Sequence, residues 1–364
     1  MISLAHPILG SDEKKAVVDV IKSGIIASGK YVERFEKLSA NYSKTKYAIA
    51  TSSGTTALHA ALLACGIKRG DKVITTPFSF IATANSILFC GAIPVFADID
   101  PKTYNLSPEA VEKILKTDTS IKAILVVHLY GMPCDMDAFV RLKEKYKVLL
   151  IEDCAQSHGA KYKDKSVGSF GDISAFSYYA TKNITTGEGG VVLTDNEKLD
   201  RSVRQIINHG RSEHSTHTVL GYNFRLTNIA ASIGLAQLKK LNDWNKKRQS
   251  NALFLNKELR NVDFLQVPVI PEQIKPVFHQ YTVRINSGLR SKFITYLKDN
   301  GIGAGVYYPT AIYNQPLYRE LGYKDGMCPN SEKAALEVLS LPVHPALTKK
   351  NLEKIVSVIK KFKK

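Results

Sequence analysis

The sequence predicts an α/β fold, with a large domain built on a mostly parallel central sheet and a smaller α+β domain after it. Three observations predict this. Strand-like and helix-like segments alternate from residue 47 to residue 152, the order that gives a parallel sheet covered by helices. Strand candidates such as Val148-Leu149-Leu150-Ile151 are continuous apolar runs, as expected of strands buried on both faces. Beyond residue 250 the alternation stops and the chain changes character.

The elements follow in order. Residues 1–40 mix helix and loop, with a helical pattern from Asp12 to Ile21. Tyr47–Thr51 reads as a strand, and the Ala/Leu-rich Thr55–Cys65 as a strong helix. Then come strand Val73–Thr76, helix Ile81–Cys90, strand Pro94–Asp98, helix Pro108–Leu115, strand Ala123–His128, helix Asp135–Lys145 and strand Val148–Glu152. Ile173–Ser177 and Gly190–Thr194 are further strands. Thr227–Leu241 reads as a helix that continues, after an interruption, through Leu255 and leads into the second domain. There Val283–Ile285 is a strand, and Ser331–Leu339 and Lys349–Phe362 are terminal helices. The boundary is set near residue 245, giving domains 1–245 and 246–364. No GxGxxG stands at a strand end, which counts against a dinucleotide-binding domain.

Composition narrows the function classes. A hydrophobic share of 44% and a charged share of 23% are those of a soluble globular protein. No window has the length of a membrane span, and the first ten residues, with Pro7 and no basic run, do not read as a signal peptide. The 5 cysteines are scattered without a CxxC pair or a His/Cys cluster, so neither disulfides nor a metal site is expected. A cytoplasmic protein is the natural reading. The net charge of +17 is compatible with nucleic acid, with an anionic small substrate, or with a lysine-rich genome. The lysines are dispersed and no basic aromatic module is visible, so nucleic acid is set aside. A basic cleft would speed capture of an anionic substrate.

Three stretches carry chemistry. Lys182 follows the strand ending at Ser177 and precedes the glycine-rich turn Thr185-Thr186-Gly187-Glu188-Gly189-Gly190. That placement suits a Schiff-base lysine held on rigid backbone at a cleft, although a solvated surface lysine is the competing reading. Asp153 ends the buried strand Val148–Glu152, where open α/β sheets bind ligands. It could hold the pyridine nitrogen of pyridoxal phosphate in its protonated form, or cap a helix. Thr51-Ser52-Ser53-Gly54-Thr55-Thr56 opens a helix with hydroxyls and free backbone N–H groups, a phosphate cradle or an ordinary cap. Together, in that order, the three specify one cofactor, pyridoxal 5'-phosphate.

With these residues the chain resembles the nucleotide-sugar aminotransferases of the DegT/StrS group. The matching stretches include Ser53-Gly54-Thr55-Thr56-Ala57-Leu58, Phe80-Ile81-Ala82-Thr83-Ala84-Asn85, Glu152-Asp153-Cys154-Ala155-Gln156 and Gly221-Tyr222-Asn223-Phe224-Arg225. The resemblance implies the pyridoxal-phosphate transferase type I fold, that of aspartate aminotransferase. It implies Lys182 as the catalytic lysine, Asp153 on the ring nitrogen and Gln156 near the ring hydroxyl. Gly54, Thr55, Thr56 and Ser177 would take the phosphate, and Phe80 would stack on the ring, unless it is a core aromatic sharing a strand face with Phe78. Asn223 and Arg225 would serve the neighbouring subunit's site, which implies a homodimer. Tyr307 and Tyr308 would face the sugar, with Tyr307 standing where the family usually has histidine. His128 and Tyr130 could line the cleft, or His128 could be a satisfied loop residue; His158 and His209 are expected to be structural. The implied reaction passes an amino group from glutamate, leaving 2-oxoglutarate, to a nucleotide-linked keto sugar. Relatives that dehydrate sugars carry histidine in place of the lysine, so Lys182 favours transamination over a dehydratase. The same residues would also suit a cyclitol aminotransferase. A non-catalytic regulatory protein on this fold is disfavoured by the intact Lys182 and Asp153.

Overall fold

The computed structural model describes residues 1–212, 216–286 and 288–363. The strands are β1 (Tyr47–Thr51), β2 (Lys72–Thr75), β3 (Ile93–Phe96), β4 (Ile121–Val127), β5 (Leu149–Asp153), β6 (Lys161–Tyr162), β7 (Lys165–Ser166), β8 (Ile173–Ser177), β9 (Gly190–Thr194), β10 (Leu265–Gln266), β11 (Ile274–Lys275), β12 (Tyr281–Ile285) and β13 (Val338–Leu341).

Seven of them form the central sheet in the order β1-β9-β8-β5-β4-β2-β3. The pairs from β8 to β3 are parallel, and β9 alone runs against its neighbours β1 and β8. β5 is therefore central, with Asp153 at its carboxyl end. The sheet is covered on both sides, which is why its strands read as unbroken apolar runs. Ile49, Leu125, Ile151 and Val192 lie in one core with the Gly54–Ala64 helix, and Ile124, Val126 and Leu150 in another with Phe139 and Leu142 of the Met136–Tyr146 helix.

The second core gathers Ala252, Leu255 and Leu259 with Tyr281, Val283, Phe293, Leu339 and Ile355, around the small sheet β10-β12-β13. The expected boundary at residue 245 falls inside the Leu241–Leu259 helix. The first turn of that helix, Leu241 and Trp244, packs into the core under β8 and β9, and its last turns pack into the second core. The interruption expected in the 227–255 helix lies at residues 239–240, between Asn228–Leu238 and Leu241–Leu259.

One predicted helix, Ser331–Leu339, is displaced two residues toward the N-terminus. It spans Pro329–Glu337, and Val338 turns extended to begin β13, paired antiparallel with β12. Val338, Leu339 and Leu341 are buried, so the apolar run that continues the helical pattern serves a two-sided strand. Chain connectivity then brings residues 306–335 back onto the large sheet. Tyr307 and Tyr308 pack beside Phe78, Tyr104 and Tyr130, while Tyr313 and Tyr318 pack on Phe96.

Candidate active site

The carboxyl ends of β5 and β8 and the start of the Gly54–Ala64 helix meet at one place. Asp153 is 3% exposed. Its Oδ2 accepts the Thr83 hydroxyl at 2.8 Å and its Oδ1 accepts the Ala155 amide at 3.0 Å. The residues after it form turns, not a helix, so Asp153 is not a helix cap. Burial raises its pKa, while the two hydrogen bonds and the charge of Lys182 oppose the rise.

The preceding residue, Glu152, points to the other face of the strand and is fully satisfied. It accepts His128 Nε2 at 3.0 Å and the amides of Gly168, Phe170 and Gly171 at 2.7–2.8 Å. Burial would raise its pKa, but these bonds outweigh burial and lower it. His128 accepts the Cys134 amide on Nδ1, so it is a structural histidine with both nitrogens used. Its ligand atoms lie within 4.8 Å of those of Glu152 and Cys154, yet neither ring nitrogen is free for a cation.

Lys182 sits in the loop between β8 and β9. That loop is pinned by Tyr178 N to Gly189 O at 2.8 Å, Thr186 N to Tyr178 O at 2.9 Å and Lys182 N to Tyr179 O at 3.0 Å. Lys182 is half-buried, and desolvation of its ammonium lowers its pKa to about 8, with Asp153 opposing. Behind it stand His158 and His279, both held neutral by burial and by the lysine's charge. His158 is buried, its ring edge-on to Phe176 and Tyr178 at 5.2 and 4.7 Å, and among the described residues neither ring nitrogen has a hydrogen-bond partner.

The helix start is a reciprocal cap. Ser53 Oγ accepts the Thr56 amide at 3.1 Å, and Thr56 Oγ1 accepts the Ser53 amide at 3.0 Å. The Thr56 side chain and amide are thus occupied, whereas Gly54 and Thr55 hold the first helical positions, whose N–H groups have no carbonyl within the helix. Gly54 lies against Ser177 of β8. A Cβ on Gly54 would sit 2.5 Å from Ser177 Cβ and 2.9 Å from its Oγ. Only glycine lets that hydroxyl and the helix N-terminus approach so closely. This donor-lined seat, with the Asp153 carboxylate and Lys182 near it, fits the phosphate, ring nitrogen and aldehyde carbon of pyridoxal phosphate.

Two more expected residues join them. Phe78 is fully buried but Phe80 is 58% exposed, so the two do not share a core face. Phe80 instead lies open beside Tyr308, ring centroids 6.3 Å apart. Gln156 accepts the Tyr130 amide at 2.6 Å and donates to the Tyr308 hydroxyl at 3.1 Å. Each end keeps one further lone pair or proton. Tyr307 is tied through its carbonyl to the Tyr130 hydroxyl. Asn223 is exposed and Arg225 half-buried, in a segment running beside the end of β1, where Ser52 N donates to Phe224 O at 2.8 Å. Arg225 donates to Asn208 Oδ1 at 2.6 Å.

The sequence profile of the DegT/DnrJ/EryC1/StrS aminotransferase family matches residues 7–360. The chain belongs to this family. It is a pyridoxal-phosphate-dependent sugar aminotransferase. It is 37% identical to a GDP-perosamine synthase of Caulobacter vibrioides, over 98% of this chain and 97% of that one. It is 39% identical to a UDP-N-acetyl-3-dehydro-alpha-D-glucosamine 3-aminotransferase of Acidithiobacillus ferrooxidans, over 88% and 86%. The crystal structure of an aminotransferase from Psychrobacter cryohalolentis superposes with a TM-score of 0.93 at 32% identity, covering 99% of this chain and 98% of that one. Among the described residues no helix of the aminotransferase is long and apolar enough to cross a membrane.

Sequence reasoning missed Thr83, which bonds Asp153, and gave Tyr130 only as a residue that could line the cleft, not as the link from Gln156 to Tyr307. Thr83 is the second residue of the Ala82–Phe89 helix, and nothing local marks it as facing a carboxylate 70 residues away. The aminotransferase also buries Asn183, Asn245 and Arg248 behind the lysine, with His279 half-buried beside them, from segments far apart in sequence.

Proposed function

We propose that this aminotransferase converts a keto sugar carried by a nucleoside diphosphate to the corresponding amino sugar nucleotide, with glutamate as amino donor and 2-oxoglutarate as its product. It would act in the cytoplasm as a homodimer with shared sites, and its product would enter polysaccharide synthesis. The observation that carries the assignment of roles is the Lys182–Asp153 pair beside the Gly54–Ser177 contact. The two nucleotide-sugar relatives and the net charge of +17 support an anionic sugar nucleotide.

Bound here, pyridoxal phosphate supplies an electron sink for the carbon from which a proton is removed. Gly54, Thr55 and Ser177 would hold its phosphate, Phe80 one ring face, Asp153 its ring nitrogen and Gln156 its ring hydroxyl; Thr56, expected beside them, spends its amide and hydroxyl on the cap with Ser53. Lys182 would hold the cofactor covalently and, once released, move the proton. With a pKa of about 8, roughly 10% of the lysine is neutral at pH 7, against well under 0.1% for an ordinary lysine. That neutral fraction makes it a competent base. Asp153, held in place by Thr83 and Ala155, would present its carboxylate to the ring nitrogen. Asn223 and Arg225 of each chain would complete the opposite subunit's site, and Tyr307 and Tyr308 would face the sugar.

Incubation with glutamate and a panel of keto nucleotide sugars, with product identification by mass spectrometry, tests the reaction. An amino sugar nucleotide and 2-oxoglutarate in equal amounts are expected. Lys182→Ala should abolish turnover and the visible absorption of the lysine-linked cofactor while leaving the fold intact. Borohydride reduction followed by peptide mapping should place the cofactor on Lys182, and an adduct on another lysine would overturn the assignment.

A further inference from the structure

The residue next to the lysine makes contacts that the reaction described above does not use. Asn183 is 4% exposed. Its Nδ2 donates to Val277 O at 3.2 Å and to Asn245 Oδ1 at 2.9 Å. Asn245 Nδ2 in turn donates to His158 O at 2.8 Å. The two backbone carbonyls can only accept, so they fix the orientation of both amides. Asn183 therefore presents Oδ1 to His279 Nδ1, 3.2 Å away. An acceptor there requires His279 to carry its proton on Nδ1. Arg248, buried in the Leu241–Leu259 helix, holds the same segment by donating to Phe278 O and His279 O at 3.1 and 3.2 Å.

We propose that Asn183 and His279 are positioning residues for Lys182: the directed chain His279 to Asn183 to Asn245 clamps the lysine loop onto that helix and keeps a neutral imidazole behind the lysine. The inference rests on Lys182 being the catalytic lysine. The ionisable groups facing the lysine are Asp153 from β5, His158 from the turn after it, His279 from the segment before β12, and Arg248 from the Leu241–Leu259 helix. His6 stands on the rim of the cavity that Lys182 shares with Arg248. Asp153 is the one anion in this set. The loop's clamp therefore decides how far the ammonium is withdrawn from water, and so how readily it gives up its proton. Desolvation, the leading cause of the lysine's lowered pKa, depends on that withdrawal.

Two substitutions of His279 separate this role from simple packing. His279→Asn places an amide donor where Nδ1 stood. His279→Gln places it one bond farther out, where Nε2 stood. Full-length, cofactor-stripped protein is acetylated with acetic anhydride across a pH series, and labelling of Lys182 is quantified by peptide mass spectrometry. The pH–rate profile of the glutamate half-reaction is measured on the holoenzymes.

The parent and His279→Asn should share a labelling midpoint near pH 8. His279→Gln should raise the midpoint by about one unit, as the loosened lysine hydrates. It should also slow the half-reaction about 10- to 100-fold, the cost of a misplaced catalytic group. Asn183→Asp should raise the midpoint too, by adding negative charge behind the lysine. A His279→Gln protein with the parent's midpoint and rate would overturn the proposal, as would His279→Asn behaving like His279→Gln. If His279→Gln does not fold, Asn183→Asp decides: an unchanged midpoint overturns the proposal. The labelling does not depend on turnover. A cofactor adduct mapped to another lysine would refute the catalytic assignment separately.

Discussion

Gly54→Ala is the substitution whose effect the structure specifies most closely. The new Cβ would stand 2.5 Å from Ser177 Cβ, 2.9 Å from Ser177 Oγ and 3.1 Å from Ser177 Cα. Ordinary carbon contacts lie at about 3.5–4.0 Å, so the helix start and the end of β8 must separate by about 1 Å. Neither side yields easily. The helix start is tied to Ser53 by the reciprocal cap, and β8 is paired on both sides. Overpacking of this kind costs about 1–3 kcal/mol. If the strain falls mainly on the phosphate seat, cofactor affinity should drop about 5- to 140-fold, at about 1.4 kcal/mol per factor of ten. The assay is a titration of cofactor-stripped protein with pyridoxal phosphate, followed by absorbance, together with thermal melting. Gly54→Ala combined with Ser177→Gly removes the two closest atoms and should recover the melting temperature. It should not recover full affinity, because the serine hydroxyl is gone. A Gly54→Ala protein with the parent's affinity and melting temperature would refute the close approach and the cradle built on it.

Asp153→Asn should retain part of the cofactor but lose most activity, because a neutral partner no longer holds the ring nitrogen's proton; unchanged kcat in the purified variant would remove Asp153 from that role. Lys182→Ala co-expressed with an Asn223/Arg225 double variant should regain activity, since one site of the heterodimer receives every parental group. Purified heterodimers with no activity would show that Asn223 and Arg225 do not complete the opposite site. Glu152→Gln turns one acceptor end of a four-donor site into a donor, so chemical denaturation should show a loss of about 2–4 kcal/mol; a loss under 1 kcal/mol would contradict the bond set. Because the Glu152 pKa is lowered on folding, its contribution is full above the unfolded value near 4.5 and is lost as pH falls through the folded value. The parent should therefore lose stability on acidification faster than Glu152→Gln does.

The local sequence was enough for most of the central sheet and to single out the three stretches that the fold brings together around Lys182, Asp153 and Gly54. The strands of that sheet are short and buried on both faces, so each appears as an apolar run ended by a turn. β8 and β9 coincide with the spans Ile173–Ser177 and Gly190–Thr194 read from the sequence. Asp153 ends β5, Gly54 opens the helix just after β1, and Lys182 lies in the loop just after β8, and those positions are what a sequence records. β13 was hidden because its apolar residues continue a helical pattern. The helix ends only because Val338 finds a strand partner in β12.

Tertiary structure decided what depends on residues distant in sequence. Phe80 and Phe78 look alike in a sequence, yet one is open at the site and the other is in the core. Tyr308 meets Gln156 across 152 residues, and Asp153 meets Thr83 across 70. The lowered pKa of Lys182 also belongs to the fold. Its leading cause is withdrawal from water, which comes from the packing of segments that adjoin only once the chain has closed on itself. The sequence by itself determined which groups could carry the chemistry, because residue type and strand-end placement are local. The fold alone decided their company and proton affinity, because burial and cross-chain contact are not local.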